Sequence, residues 1–293
     1  MAECSLRIRI VLAALLPVVL VWTAPGSAQS YTERTLELLR NPPAGIVFPV
    51  KTEQRVLTLL DRLRAAKGLS TLRSRDTLRD AARVHSVRML RDDFFAHEDP
   101  DGRGAPDRVA AVDRRHLYKY FGENLALIRP PREDSAKTVH DGWVDSPGHY
   151  KNMISPRPTH IGIGCAILGR TLTCTQVFGG AAGLLARDLP PRLTKEGGQR
   201  VDADVFDLNF GGWSLVDRQG HERAAGSGTL LRWPNRLSGE YQLRVNGKRR
   251  QGYRIYTHPF FGPSVVLGSN VHGSNYAPVP RRRPVTASNG RRR

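Results

Sequence analysis

The side chains able to do chemistry gather in four short clusters: Phe95-Ala96-His97 with Pro100-Asp101-Gly102-Arg103, Gly122-Glu123-Asn124-Leu125, Trp143 to His149 through Ser146-Pro147-Gly148, and Thr175-Gln176-Val177-Phe178-Gly179. Imidazoles and carboxylates are the groups that ligate divalent transition metals, orient a metal-bound water or move a proton. Cys165 and Cys174 offer different chemistry. They sit in IGIGCAILGRTLTCTQVF, two runs rich in β-branched and apolar residues joined at Leu168-Gly169-Arg170-Thr171, where glycine at the first central position suits a two-residue hairpin. That register sets 165 opposite 174 at a non-hydrogen-bonded pair, where side chains come closer. A Cys165–Cys174 disulfide is therefore expected; the competing reading is two reduced cysteines facing a core.

The elements around these clusters follow from periodicity. Val56, Leu59, Leu60 and Leu63 form a helical stripe stopped by Gly68, and Leu78, Ala81, Ala82, His85 and Met89 share one face of a second helix. HEDPDGRGAPDR reads as a structured loop, with Pro106 placed to open a short helix. A further helix is expected from Asp134 to Trp143, after which Ser146 caps a new one with Pro147 at its first position. Upstream, residues 29–50 look like an irregular lead-in around Asn41-Pro42-Pro43. Downstream, Pro190-Pro191 and Gly197-Gly198 frame a linker over 181–199, short strand-like runs mark a small β-rich module at 200–276, and 277–293 reads as a disordered Arg-rich tail. No solenoid-type repeat is present.

The motifs FAHEDPDGRGAPDRV, GENLA, W-x-x-SPGHYKNMI, HIGIGCA and TQVFG, in this order and spacing, resemble the CAP superfamily of cysteine-rich secretory, antigen-five and pathogenesis-related proteins, and most closely its secreted bacterial branch. The likeness covers roughly 53–180. It implies an α+β fold for residues 51–180, an α-β-α sandwich, here followed by the β-rich module and the basic tail. It also implies a cleft with two histidines and two acids. His97 and Glu123 match the first of each, and His149 is the match for the second histidine. The second acid ordinarily follows the Trp by three positions, where this chain has Ser146; the adjacent Asp145 is the alternative. Two neutral imidazoles could hold a divalent metal such as zinc, with Glu123 as general base, as a water-orienting group or as a partner fixing a histidine tautomer. Three protein ligands plus water are typical of catalytic zinc, and two histidines fall short of that. His85 reads as a core histidine, His116 and His140 as surface or helix-face residues. Asn124 is expected to bond loop backbone, Trp143 to pack in the core, and Arg103 to pin a carboxylate near the Asp101-Gly102 turn.

Composition sets the boundaries of the functional reading. In 293 residues, 45 Lys and Arg oppose 27 Asp and Glu, a net +18, while 40% hydrophobic and 7% aromatic content are ordinary for a globular chain and exclude wholesale disorder. Arg7 and Arg9, an apolar run from Ile10 to Trp22 and Gly26-Ser27-Ala28 form a signal-peptide pattern with cleavage near Ala28, leaving +17 and predicting a secreted or periplasmic protein without a further membrane span. Three functions compete. The first is a non-enzymatic binding module whose cleft takes a small apolar, metal or peptide ligand. The second is a metal-assisted hydrolase using His97, His149 and Glu123. The third is an envelope-associated protein held to anionic polymers by its charge. No zinc-finger spacing or recognition helix supports sequence-specific nucleic-acid binding.

Overall fold

The computed structural model describes residues 29–194 and 198–268. The expected leader and the Arg-rich tail lie outside the described residues. Among the described residues six helices, α1 (Tyr31–Arg40), α2 (Val50–Ala66), α3 (Asp76–Arg91), α4 (Ala105–Val112), α5 (Ser135–Val144) and α6 (Pro147–Met153), surround a sheet. Its first half comprises β1 (Arg73–Ser74), β2 (His116–Ile128), β3 (His160–Leu168) and β4 (Thr171–Leu185). Then come the short β5 (Arg192–Leu193) and β6 (Ala203–Asp204), followed by β7 (Asn209–Val216), β8 (Glu222–Gly226), β9 (Gly239–Gln251) and β10 (Arg254–Leu267).

The β3–β4 hairpin organises the sandwich. Its register runs Leu168 opposite Thr171, Ile167 opposite Leu172 and Cys165 opposite Cys174, with Gly169 at φ +57° in the turn. The two cysteines are disulfide-bonded, their Cα atoms 4.1 Å apart. Alternation then sorts the hairpin's faces. Ile161, Ile163, Cys165, Leu172, Cys174 and Phe178 pack against Val56 and Leu60 of α2, Val139 and Trp143 of α5 and Met153. On the opposite face stand Gly162 and Gly164. A Cβ on Gly162 would lie 2.1 Å from the Arg79 backbone nitrogen, and one on Gly164 2.2 Å from that of Arg83. The spacing of IGIGCA is thus a seat for the α3 backbone, and Ala81 and Ala82 help bring the helix close. Beside that seat Leu78, Ala81, Ala82, Val109, Val112, Tyr118 and Val177 form a second apolar cluster.

Three expectations need correction. The lead-in is not irregular throughout: residues 31–40 form α1, whose N-cap Ser30 accepts from the Glu33 backbone while Glu33 reaches back to Ser30. That Ser-x-x-Glu capping box is legible in SYTE. Nor is 181–199 a free linker, because β4 continues to Leu185, and Ala182, Leu185, Leu189 and Leu193 are core residues. Finally, Ser146 precedes α6 in extended conformation, but its side chain makes no capping bond.

Strands β7–β10 do not stand apart either. Sheet order is β1-β3-β4-β2-β10-β9-β7-β8, and the two halves meet where Phe261 pairs with Tyr118. A third core spans the join, with Leu117, Ala182 and Leu185 from one side and Trp213, Leu215, Leu243, Val245 and Val265 from the other. Glu240 of β9 completes the attachment by accepting from the backbone nitrogens of Tyr31 (3.2 Å) and Thr32 (2.9 Å), the first turn of α1, and from Arg103 (3.3 Å). A carboxylate at a helix N-terminus meets unpaired N–H groups and the positive end of the helix dipole.

Candidate functional site

The loop between α3 and α4 delivers His97, and buried carboxylates shape that loop. Asp99 takes the backbone N–H groups of Asp101 (3.0 Å) and Arg103 (2.9 Å) on one oxygen, and Tyr31 Oη (3.0 Å) and Arg88 (2.6 Å) on the other. Its side chain is wholly buried. Gly102, at φ +68°, provides the left-handed turn that Asp101-Gly102 announces. Arg103 pairs with Asp107 (3.3 Å) and with Glu240.

Glu123 projects from β2 beneath this loop. His97 Nδ1–H donates to its Oε1 at 2.9 Å, while the Arg108 guanidinium of α4 donates to Oε2 at 2.6 Å. Arg108 is completely buried and also donates to the carbonyls of Arg103 (2.8 Å) and His97 (3.1 Å). Desolvation pushes the Glu123 carboxyl upward, but Arg108 and the His97 hydrogen bond outweigh it and hold the acid below its ordinary value. His97 is raised, chiefly by its hydrogen bond to Glu123. Because Nδ1 is committed, Nε2 is the ring atom His97 presents outward, on a side chain 59% exposed.

Behind Glu123 lies His85, which donates from Nε2 to the Ala96 carbonyl at 2.9 Å and stays neutral, its pKa pushed down to about 3 by burial and by Arg108. It is the core histidine expected from its helix face. His149 lies in the first turn of α6. Burial lowers its pKa and the charge of His97 lowers it further, so the two imidazoles sense one another. A chain of amides ties α6 to the sheet: Asn152 donates to the Glu123 carbonyl (3.1 Å) and to Asn124 Oδ1 (2.9 Å), and Asn124 donates to the His149 carbonyl (3.1 Å) and to Gln176 Oε1 (2.9 Å). Trp143 is buried and donates to the Leu125 carbonyl at 2.8 Å. The GEN, SPGH and TQVF clusters thereby converge on one site.

The second acid does not join them. Asp145 is exposed at the end of α5, where its charge bears on Lys137. Ser146 contributes backbone to α6, accepting from the Tyr150 N–H at 2.8 Å. His116 was expected at the surface or on a helix face; it donates instead from Nδ1 to the buried Asp113 (2.9 Å) and receives a hydrogen bond from Arg75, remote in role from Glu123. Arg108 is the residue the sequence reading missed. It sits in the quoted FAHEDPDGRGAPDRV motif, yet an arginine one turn into a short helix carries no local signal that it is buried.

With this geometry in view, residues 57–178 match the family model described as the cysteine-rich secretory protein family, CAP. That stretch is a CAP domain. The CAP domain is 33% identical over 112 residues to the uncharacterized protein YkwD of Bacillus subtilis, a match spanning 38% of this chain and 41% of YkwD. The chain thus spans less than half the length of the curated relatives it matches. Among solved structures it is similar to an outer surface protein of Borrelia burgdorferi (18% identity, TM-score 0.42, 46% of this chain and 97% of that one). It is also similar to an extracellular SCP-domain protein of Bacillus anthracis (23% identity, TM-score 0.38, 44% of this chain and 40% of that one).

Proposed function

We propose that the chain is an exported, non-enzymatic binding protein whose CAP cleft holds a peptide or other small polar ligand on Nε2 of His97. The observation that carries this reading is the commitment of Glu123. Both of its oxygens are taken, one by His97 and one by a buried arginine, and its pKa lies below the ordinary range. A general base needs an affinity for protons near the working pH, and Glu123, buried against Arg108 with its pKa held low, does not offer it. Its role is to fix one tautomer and one orientation of His97, as a partner does for a binding imidazole. Export is supported by the signal-peptide pattern of residues 1–28. No described helix is long and apolar enough to cross a membrane.

A second reading, in which His97 and His149 share a divalent cation, is favoured by the lowered pKa of His149, which burial and then the charge of His97 push towards the neutral, metal-binding form. Among the described residues no group of three or more His, Cys, Asp or Glu stands ready to hold a metal. Such a donor set suits an open, exchangeable ion and does not supply the three protein ligands of a catalytic zinc.

The test is to follow the imidazole nitrogens by NMR while titrating zinc ion and, separately, short peptides. Under the first reading peptides shift His97 Nε2, His97→Gln abolishes the effect, and no ester or peptide reporter is turned over. Metal-dependent hydrolysis lost in Glu123→Gln would overturn the reading in favour of an enzyme.

A further inference from the structure

β9 and β10 outrun the sheet that flanks them. β7 accompanies β9 only as far as Asn209 opposite Lys248, while β10 meets β2 at Phe261 and β5 at Val266 and Leu267. Beyond these points the hairpin is a two-stranded ribbon, Arg249 opposite Tyr256, Arg250 opposite Ile255 and Gln251 opposite Arg254, closed at Gly252-Tyr253 with Gly252 at φ +59°. Every residue from Lys248 to Pro259 is exposed. A lone two-stranded ribbon is marginal in water. This one buries nothing, and its side-chain hydrogen bonds go to main-chain carbonyls, Arg249 to Asp207 and Arg250 to Gly252.

The ribbon is also one-signed and capped by apolar groups. Lys248, Arg249, Arg250 and Arg254 line it, and no Asp or Glu occurs anywhere after Glu240. None of the four cations has a carboxylate partner among the described residues. At the tip Tyr253 is fully exposed, with Ile255 at 66% and Tyr256 at 43%. Register places each of two arginines beside one of these apolar side chains. A hydrated polyanion would satisfy the cations and leave Ile255 without gain. A lipid headgroup layer satisfies both, because Tyr and Ile enter the interface while Arg and Lys rest their stems on it and meet phosphate.

We propose that the β9–β10 ribbon, residues 248–258, is an arm that docks the protein on an anionic phospholipid surface, with Tyr253 and Ile255 inserted and the four cations on lipid phosphates. It is independent of the CAP cleft and of the reading given for it. Each basic residue near an anionic surface contributes about a fivefold gain in partitioning.

The test uses the chain from Gln29 onward, the form that cleavage at the expected leader would leave, with residues 269–293 kept in every variant. Binding is measured by sedimentation with phosphatidylglycerol–phosphatidylcholine vesicles and with phosphatidylcholine alone, across a salt series. Binding is expected only with the anionic vesicles, reduced roughly a hundredfold in Arg249→Gln/Arg250→Gln/Arg254→Gln and about tenfold or more in Tyr253→Ser/Ile255→Ser. These positions are exposed, and unchanged thermal melting checks that the variants fold. A Tyr253→Trp probe is expected to shift its fluorescence to the blue when anionic vesicles are added. Undiminished vesicle binding in both sets, no blue shift, or binding to nucleic acid or anionic glycan that ignores Tyr253→Ser/Ile255→Ser while vesicles do not bind, would overturn the proposal.

Discussion

Arg108 is the side chain whose loss should cost the CAP domain most for its size. The useful perturbation is Arg108→Met, which keeps an unbranched stem and removes the guanidinium. Three acceptors lose their donor: Glu123 Oε2 and the carbonyls of Arg103 and His97. The decisive one is Glu123, whose side chain is only 6% exposed and is left with His97 alone. Removing one partner of a buried ion pair typically costs about 3–5 kcal/mol, because the survivor stays charged and desolvated. For a chain of this length that is a fall of roughly 10 °C in Tm. Replacing both, in Arg108→Met/Glu123→Gln, should recover much of the loss, since no buried charge then remains. Titration supplies a second reading. The Arg108 charge is the main influence opposing desolvation at Glu123, and it also opposes protonation of His97. Its removal should raise both pKa values, measured by NMR. The Glu123 contribution to stability, present above the unfolded value near about pH 4.3 and lost as pH falls through the lower folded value, should shrink accordingly. A variant within about 1 kcal/mol of wild type in urea unfolding, with His97 titrating unchanged, would refute the assignment of Arg108 as the anchor.

Further outcomes are expected. Gly164→Ala places a Cβ 2.2 Å from the Arg83 nitrogen and 2.6 Å from the Ala82 carbonyl carbon, so α3 must move, costing about 3 kcal/mol. Gly142→Ala, with open space around it in α5, should instead stabilise by about 0.5–1 kcal/mol in the same denaturation assay. His85 and His160 are held neutral, pushed down to about 3 and about 4 chiefly by burial. Because the unfolded chain takes up protons first, stability should fall as pH drops from about 6.5 towards 4, and His85→Gln should flatten that slope; a flat urea midpoint from pH 7 to 4 would contradict it. Lastly, Cys165→Ala/Cys174→Ala opens a link between residues nine apart and should lower stability by about 2–3 kcal/mol, seen as a lower urea midpoint at similar slope.

What could be read in advance tracks how local each determinant is. The 165–174 hairpin, its register and its disulfide follow from a glycine turn and alternation within one segment. The α3 face of Leu78, Ala81, Ala82, His85 and Met89 follows from helical period alone. His97, Glu123 and His149 were located by motif, and the structure brings them to one site. Arg108 was not legible, because its burial depends on packing between α4, β2 and the loop and leaves no periodic trace. The continuity of the sheet was hidden for a similar reason: one pairing, Phe261 with Tyr118, joins segments far apart in sequence. α1 is a different case, since its capping box was present at Ser30 and Glu33 and the neighbouring prolines masked it.

The clasp of Glu240 on Tyr31 and Thr32 joins residues 208 and 209 positions apart. The amides of Tyr31 and Thr32, which the Ser30 capping box leaves unpaired, therefore receive their acceptor only once β9 has been made. Folding cannot proceed to completion from the amino end outward: α1 waits, its leading amides open to water, until β9 arrives to close the molecule into a loop. A chain emerging in order, whether from a ribosome or through a membrane pore, keeps those two amides of α1 open until β9 is out.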